Sequence, residues 1–213
     1  MRRQAILDTA AAMLAEMPIA QISLNELSRR VGLAKSNVLR YFESREAVLL
    51  ELLDAAGREW LDGLDDLLKG AVDPGAPAAD RADQVAAALA ESLNRHPVLC
   101  ELISSQASVL EHNVSAENVA RYKRKAIAQV TDFARALLRY LPELGEQGAG
   151  WFAGRVIVVT GPAWVHSRPP AAVLAAYEAD PSLAEWHPDF TTMLRELLAV
   201  LMAGLLARPS AIR

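Results

Sequence analysis

The chain has 213 residues, 22 Lys and Arg against 26 Asp and Glu, a formal net charge of −4, and 52% hydrophobic residues. This composition excludes a disordered chain and fits one large domain or two small ones. Its single cysteine, Cys100, excludes an internal disulfide and a thiolate zinc site, so we expect a reducing, cytoplasmic setting.

The longest run without a polar residue is Leu197 to Ala207, eleven residues, whereas a membrane-spanning helix needs about 20. The N-terminal stretch also lacks the cleavage site of a signal peptide. We therefore expect a soluble protein with no membrane partner. Residues 1–50 hold seven basic and five acidic groups, so the remaining chain carries a net charge of −6. A polyanion is expected to touch only this basic head.

Apolar residues recur at helical spacing along almost the whole chain, which predicts an all-α protein. Pro18 ends the first helix, the capping box Ser23 to Glu26 begins the second, and Gly32 ends it. The strand-like run Arg155 to Thr160 is assigned to a buried helix, since no second strand is present to pair with it. The predicted helices cover about 2–17, 23–31, 34–42, 44–68, 79–94, 98–111, 115–140, 148–165, 171–179 and 188–206.

Residues 23–42 form two short helices joined by a tight turn, the sequence shape of a helix-turn-helix. In that motif the second helix enters the major groove of DNA. An ordinary helical hairpin with a solvated polar face fits the periodicity equally well. The order of residues decides between these two interpretations.

The run Leu24-Asn25-Glu26-Leu27-Ser28-Arg29-Arg30-Val31-Gly32-Leu33-Ala34-Lys35-Ser36-Asn37-Val38-Leu39-Arg40-Tyr41-Phe42, followed by Glu43-Ser44-Arg45-Glu46-Ala47-Val48-Leu49, closely resembles the DNA-binding domain of TetR-family transcriptional repressors. The resemblance covers about residues 5–53 without a gap. It implies an all-helical homodimer of nine or ten helices, with a three-helix head for DNA and a larger helical body for a small-molecule effector. On this basis residues 1–45 are assigned to the helix-turn-helix DNA-binding domain and residues 46–213 to effector binding and dimerisation.

The resemblance also implies which side chains touch double-stranded DNA. Ser23, Tyr41 and Arg45 are expected at phosphates. Leu39 replaces a frequent aromatic residue and offers only apolar contact, so the operator cannot be taken from relatives. Arg2 and Arg3 either reach the DNA or form a frayed terminus. The side chains expected to contact bases or flanking phosphates are Lys35, Ser36, Asn37 and Arg40.

Leu197 to Ala207 is apolar on all sides, and Trp151 to Val165 is nearly so apart from Arg155 and Thr160. A surface helix would show a polar face, so both helices are predicted to be covered on more than one side. The simplest cover is a second copy, packed across a two-fold axis as a four-helix bundle, although burial within one monomer remains an alternative. The predicted dimer interface comprises Trp151, Arg155, Met193, Leu197, Val200, Leu201, Gly204 and Leu205.

The effector, whose identity is unknown, is expected in an apolar cavity among the helices of the body. For each candidate lining residue, ordinary core packing is an alternative role. The candidates are Trp60, Leu64, Ile103, Gln106, Leu110, Tyr122, Val159 and Trp164, with His112 and His166 as possible polar anchors. We expect the fourth helix to transmit the effect of effector binding from the body to the DNA-binding head. Neither a metal site nor a cofactor nor a catalytic residue is predicted.

Two alternatives to a ligand-responsive repressor stay open. The acidic segment Asp62 to Asp66 could hold Mg²⁺ in an all-helical enzyme of the prenyl-condensing kind, although no second acidic cluster accompanies it. An architectural DNA-coating protein without an effector would bind DNA with little sequence preference and a steep salt dependence.

Overall fold

The protein is described from a computed structural model, which describes residues 2–106, 110, 112–184 and 189–208. Twelve α-helices occur within these residues, in agreement with the predicted all-α class. They are α1 (Arg2–Glu16), α2 (Leu24–Val31), α3 (Lys35–Leu39), α4 (Arg45–Asp62), α5 (Leu64–Ala71), α6 (Ala78–Asn94), α7 (Pro97–Ser105), α8 (Ala116–Leu138), α9 (Gly145–His166), α10 (Ala171–Ala179), α11 (Pro181–Ala184) and α12 (Phe190–Ala207).

The chain divides into two compact units. The first comprises residues 1–62 and 96–129, and the second comprises residues 63–95 and 130–213. The first unit therefore contains the three N-terminal helices together with α4, α7 and the first half of α8. The predicted division after residue 45 concerns function rather than packing, and it stays a prediction.

The core of the first unit forms where the apolar face of α1 packs on α2 and α4. Ile6, Ala10 and Met13 recur at helical spacing on that face and are fully buried. Helix α7 packs on α1 and α4 and covers the same core. Burial of the Ile6 and Met13 side chains contributes about 1.5–3 kcal/mol each to stability.

In the second unit α12 packs along α6 and also contacts α9. Leu194, Leu198 and Met202 form the buried stripe of α12 and are fully enclosed. The strand-like run Arg155 to Thr160 is helical, as predicted, and lies within α9. Thr160 is buried there, and its hydroxyl donates to the carbonyl of Val156 at 2.7 Å. This bond satisfies the buried hydroxyl of Thr160 without a partner strand.

One sequence prediction about the helices is wrong in extent. The predicted single helix over residues 44–68 is two helices, α4 and α5, separated at Gly63. Glycine is the weakest helix-former after proline, which accounts for a break at this position. The break coincides with the boundary between the two compact units. Residues 107–109 and 111 of the predicted helix over 98–111, and Pro188 of the predicted helix over 188–206, lie outside the described residues.

Among the described helices, α12 is long and apolar enough to cross a membrane, and 28% of its residues are buried in the protein. A single helix of this kind is weak support for a membrane span, because the core helix of a soluble protein passes the same test. One face of α12 packs on α6 and α9.

Candidate nucleic-acid interface

The helix-turn-helix is fixed by local hydrogen bonds at both ends of α2. At its start, the Oγ of Ser23 accepts the amide N–H of Glu26 at 3.1 Å, as the capping box predicts. At its end, Gly32 adopts φ +71°, a left-handed conformation that suits glycine. The amide of Leu33 then donates to the carbonyl of Ser28 at 3.0 Å. These bonds hold the turn that leads into α3.

Glu26 does not complete the capping box in the way the sequence suggests. Its carboxylate accepts hydrogen bonds from Arg29 at 2.6 and 2.8 Å and from Arg30 at 2.8 Å. These two guanidinium groups lower the pKa of the Glu26 carboxyl from 4.5 to about 2. Two positive groups next to the carboxylate make a stronger electrostatic pairing than the neutral amide of Ser23.

Helix α3 is short and is anchored from one side only. Val38 is fully buried and Phe42 is buried, whereas Leu39 and Tyr41 are 42% and 40% exposed. The amides of Tyr41 and Phe42 both donate to the carbonyl of Val38, at 2.9 and 3.1 Å, so a tight turn follows the helix. The predicted third helix over residues 34–42 is therefore shorter, with α3 covering Lys35–Leu39.

The predicted base-contacting side chains lie on the outer side of this anchored helix. Lys35, Ser36 and Arg40 are exposed, and Asn37 is half-buried. Within the described part of the chain, none of these four side chains has a hydrogen bond or an ion pair to the protein. These four polar side chains are thus available to an external partner. Their role at DNA stays a prediction.

The side chains of the predicted phosphate-contacting residues differ in how many hydrogen bonds they already make within the protein. Tyr41 is exposed, while the Oγ of Ser23 serves as a helix cap. The guanidinium of Arg45 donates to the carbonyl of Ile22 at 2.9 Å and to the carboxylate of Glu46 at 3.0 Å. Arg45 is half-buried, so it also fixes the start of α4 to the segment before α2.

Arg2 and Arg3 have different surroundings. The guanidinium of Arg3 forms an ion pair with the carboxylate of Glu51 on α4, and Arg2 is exposed. The charge of Arg3 is therefore engaged inside the first unit.

The candidate effector-pocket residues are distributed over both compact units. Trp60, Ile103, Gln106, Leu110 and Tyr122 belong to the first unit, and Leu64, Val159 and Trp164 belong to the second. Each of them is buried or half-buried, whereas the suggested polar anchors His112 and His166 are exposed. Their assignment to a pocket stays a prediction.

Each unit contains a cleft of its own. The cleft of the first unit has a volume of about 60 Å³ and is lined by Tyr41, Glu43, Arg121 and Tyr122 among others. Tyr122 is the one predicted pocket residue on its wall. The cleft of the second unit, about 450 Å³, is lined by residues that the sequence did not single out, among them Lys69, Arg81, Arg139 and Tyr140.

The predicted dimer residues all lie on α9 and α12. Val200 is 71% exposed and Leu197 is 39% exposed, while Leu205 is buried within the protomer. Arg155 and Gly204 are exposed, and Trp151, Met193 and Leu201 are half-buried. Val158 and Val165 on α9, which the prediction omitted, are 61% and 58% exposed. Their spacing of seven residues places them on one face of α9.

Sequence reasoning also missed Glu43, which lies between α3 and α4. Its carboxylate accepts the amide N–H of Ser115 at 2.7 Å, across 72 residues of sequence. No local pattern could have indicated this contact, because it depends on how α8 packs.

Similarity to known proteins covers the chain in two parts. Residues 6–52 match the family described as "Bacterial regulatory proteins, tetR family", and residues 54–209 match "Tetracyclin repressor-like, C-terminal domain". Among curated proteins, the HTH-type transcriptional regulator EthR of Mycobacterium tuberculosis is 45% identical over 53 residues, which is 25% of this chain and 24% of that protein. EthR of Mycolicibacterium smegmatis is 35% identical over 68 residues, 32% of this chain and 31% of that protein. The chain thus matches about a quarter to a third of the length of these relatives.

Solved structures resemble the protein over nearly its full length. A TetR transcriptional regulator from Rhodococcus sp. RHA1 has a TM-score of 0.57 at 15% identity and covers 98% of this chain and 97% of its own. The fatty acid degradation regulator FadR from Bacillus halodurans has a TM-score of 0.56 at 12% identity, with 96% of each chain covered. These likenesses show the fold. Together with the two matched regions, they show that the chain belongs to the TetR family of bacterial regulatory proteins.

Proposed function

We propose that the protein is a ligand-responsive transcriptional regulator that binds a palindromic DNA operator as a homodimer and represses transcription. One observation carries the DNA-binding part of this proposal. Val38 anchors α3 in the core, while Lys35, Ser36, Asn37 and Arg40 on the same short segment have no protein partner among the described residues.

These side chains suit the chemistry of the major groove. Arg and Lys donate to guanine, Asn pairs with adenine through two hydrogen bonds, and Ser pairs with either base. A recognition helix reads bases with its N-terminal residues, which are the positions of Lys35, Ser36 and Asn37. Ser23 and Tyr41 lie outside α3 and are proposed to position the head on phosphates.

The homodimer is proposed from the exposed apolar residues of α9 and α12. Val158, Val165 and Val200 are each more than half exposed, and water-exposed valines at helical spacing are costly unless another surface covers them. A second copy packed on the same residues forms a four-helix bundle. Two heads would then meet one face of the duplex about one helical turn apart, or a multiple of that distance.

The effector is proposed to act on the separation of the two heads. We call residues 35–42, which comprise α3 and the turn after it, the recognition segment. Helix α4 begins beside the recognition segment and ends at the boundary between the units, so a shift at its far end can reach the head. We propose no catalytic role. The enzyme alternative relied on the acidic segment Asp62 to Asp66 as a Mg²⁺ site. One of its carboxylates is already bonded within the protein, because Asp65 accepts hydrogen bonds from Arg139 at 3.0 Å and from the hydroxyl of Tyr140 at 2.9 Å.

Selection of bound duplexes from random DNA tests the proposal. The expected result is a palindrome, with binding lost in a Lys35→Ala, Arg40→Ala double variant that keeps the wild-type unfolding temperature. A screen of small molecules for release of the selected duplex then tests effector response. Binding without sequence preference, steeply weakened by salt, would favour the architectural alternative instead.

A further inference from the structure

Helix α8 is joined to the DNA-binding head at its first residues. The carboxylate of Glu43 accepts the amide N–H of Ser115 at 2.7 Å, and the Oγ of Ser115 accepts the amide of Asn118 at 3.3 Å. Glu43 therefore caps α8 together with Ser115, although it belongs to a distant part of the chain. The Ser115 amide, helped by the side chain of Asn118, holds the pKa of the Glu43 carboxyl below its usual range.

Glu43 is rigidly connected to the recognition helix. It directly follows Phe42, whose ring is 4% exposed and whose amide donates to the carbonyl of Val38. Tyr41, the proposed phosphate contact, lies two residues before Glu43. A displacement of the Glu43 backbone must therefore move the end of the recognition segment.

A second junction joins α4 to α8 further along both helices. Asp54 is 6% exposed, and its carboxylate accepts Lys125 at 2.7 Å and the side-chain amide of Gln129 at 2.9 Å. The same amide also donates to the backbone carbonyl of Asp54 at 2.9 Å. A Cβ at Gly57 would lie 2.7 Å from the Oε1 of Gln129, so glycine makes room for this contact.

The two junctions have nearly the same spacing along the segment from Glu43 to Asp54 as along α8. Eleven residues separate Glu43 from Asp54, and ten separate Ser115 from Lys125. At 1.5 Å per residue the junctions lie about 15 Å apart, so α8 runs beside α4 in the same direction. Attachment at two points fixes both the position of α8 along α4 and its rotation.

We propose that Glu43 is a positioning residue for DNA binding, which ties the recognition segment to the start of α8 so that α8 sets its placement. Helix α8 continues to Leu138, and its residues from 130 onward belong to the second unit. A change in that unit therefore has a route to the recognition segment that does not pass through α4. This inference rests on the proposed DNA-binding function.

The test compares Glu43→Ala with Glu43→Gln on the duplex selected by the wild-type protein, by fluorescence anisotropy at fixed salt. Removing a negative charge near DNA by itself strengthens binding. The proposal makes the opposite prediction, a loss of about tenfold in affinity for Glu43→Ala. Glu43→Gln keeps an oxygen that can accept the Ser115 amide, so it is expected to retain most of the affinity. Glu59→Ala, an exposed position on α4, is the charge-matched control and is expected to show no loss.

A neutral substitution at the second junction keeps the proposal testable if Glu43→Ala fails to fold. Gln129→Ala changes no charge and is expected to weaken binding several-fold, whereas Gln147→Ala, exposed on α9, is expected to leave it unchanged. Unchanged or tighter binding by both Glu43→Ala and Gln129→Ala, in folded protein, would overturn the inference. If the wild-type protein itself selects no duplex, the proposed function fails instead.

Discussion

The guanidinium group of Arg3 lies over the ring of Phe42, with its central carbon 4.7 Å from the ring centroid. The same group is paired with the carboxylate of Glu51, so one side chain of α1 links the end of the recognition segment to α4. Arg3 therefore serves the geometry of the head, a role that differs from both alternatives that the sequence left open, contact with DNA or a frayed terminus.

Arg3→Ala is expected to reduce the free energy of unfolding by about 1 kcal/mol, because it removes a cation–π contact and a partly exposed ion pair. Chemical denaturation followed by circular dichroism measures this change. Arg2→Ala, one residue away and exposed, is the control and should stay within about 0.5 kcal/mol of the wild type. Equal unfolding energies for both variants, with weaker DNA binding for Arg3→Ala, would assign Arg3 to the DNA instead.

Asn37→Ala is expected to change the order of preference among DNA sequences, while Tyr41→Phe weakens binding to all of them to a similar degree. Asn37 is proposed to read a base, and the hydroxyl of Tyr41 is proposed to contact a phosphate, which carries no sequence information. Loss of a well-formed base contact costs about 1–3 kcal/mol of discrimination. Anisotropy titrations with cognate and scrambled duplexes measure both effects. Equal losses on the two duplexes for Asn37→Ala would remove that residue from base readout.

Val200→Asp is expected to convert a dimer to a monomer, because it places a charge on a 71% exposed valine of the proposed interface. Sedimentation velocity over a range of protein concentrations measures the change. Leu183→Asp, an exposed apolar residue on α11, is the matched control and should leave the mass unchanged. A wild-type protein that sediments as a monomer throughout would contradict the dimer.

Gly57→Ala and Gln129→Ala are expected to be strongly non-additive. In a helix, alanine is favoured over glycine by about 1 kcal/mol, but the new Cβ would collide with the carboxamide that Gln129 holds against Asp54. Gly57→Ala should therefore stabilise the protein only when Gln129 has been replaced by alanine. A double-mutant cycle of unfolding energies measures the coupling. Additive energies would show that Gln129 moves aside at no cost.

Stability of the head is expected to fall in acid through Glu26. The folded-state pKa of this carboxyl is about 2, below its ordinary value of 4.5, so its contribution is complete above about pH 4.5 and is lost as the pH falls towards 2. Its pairs with Arg29 and Arg30 are exposed to solvent, so the effect should be small and should shrink in high salt. Thermal unfolding between these pH values measures it, and Glu26→Gln should flatten that part of the profile. Asp8→Asn, exposed on α1, should not.

Much of the protein was predictable from sequence because the governing interactions are local. The 3.6-residue period located most of the helices, since each helix hides one apolar face. The cap at Ser23 and the turn at Gly32 were predictable because both depend on residues within a few positions of each other. The order of residues from Leu24 to Leu49 carried the family resemblance, and the matched regions bear it out.

Other features depend on how the helices pack, and no sequence pattern announces them. The junctions of Glu43 with Ser115 and of Asp54 with Gln129 join residues more than 70 positions apart. Such pairs are set by the relative placement of two helices, which burial of many side chains decides together. The sequence alone therefore determined most of the helices, the helix-turn-helix and the family, whereas only the tertiary structure decided that Glu43 meets the start of α8, because a hydrogen bond forms only between groups that packing has already brought within reach.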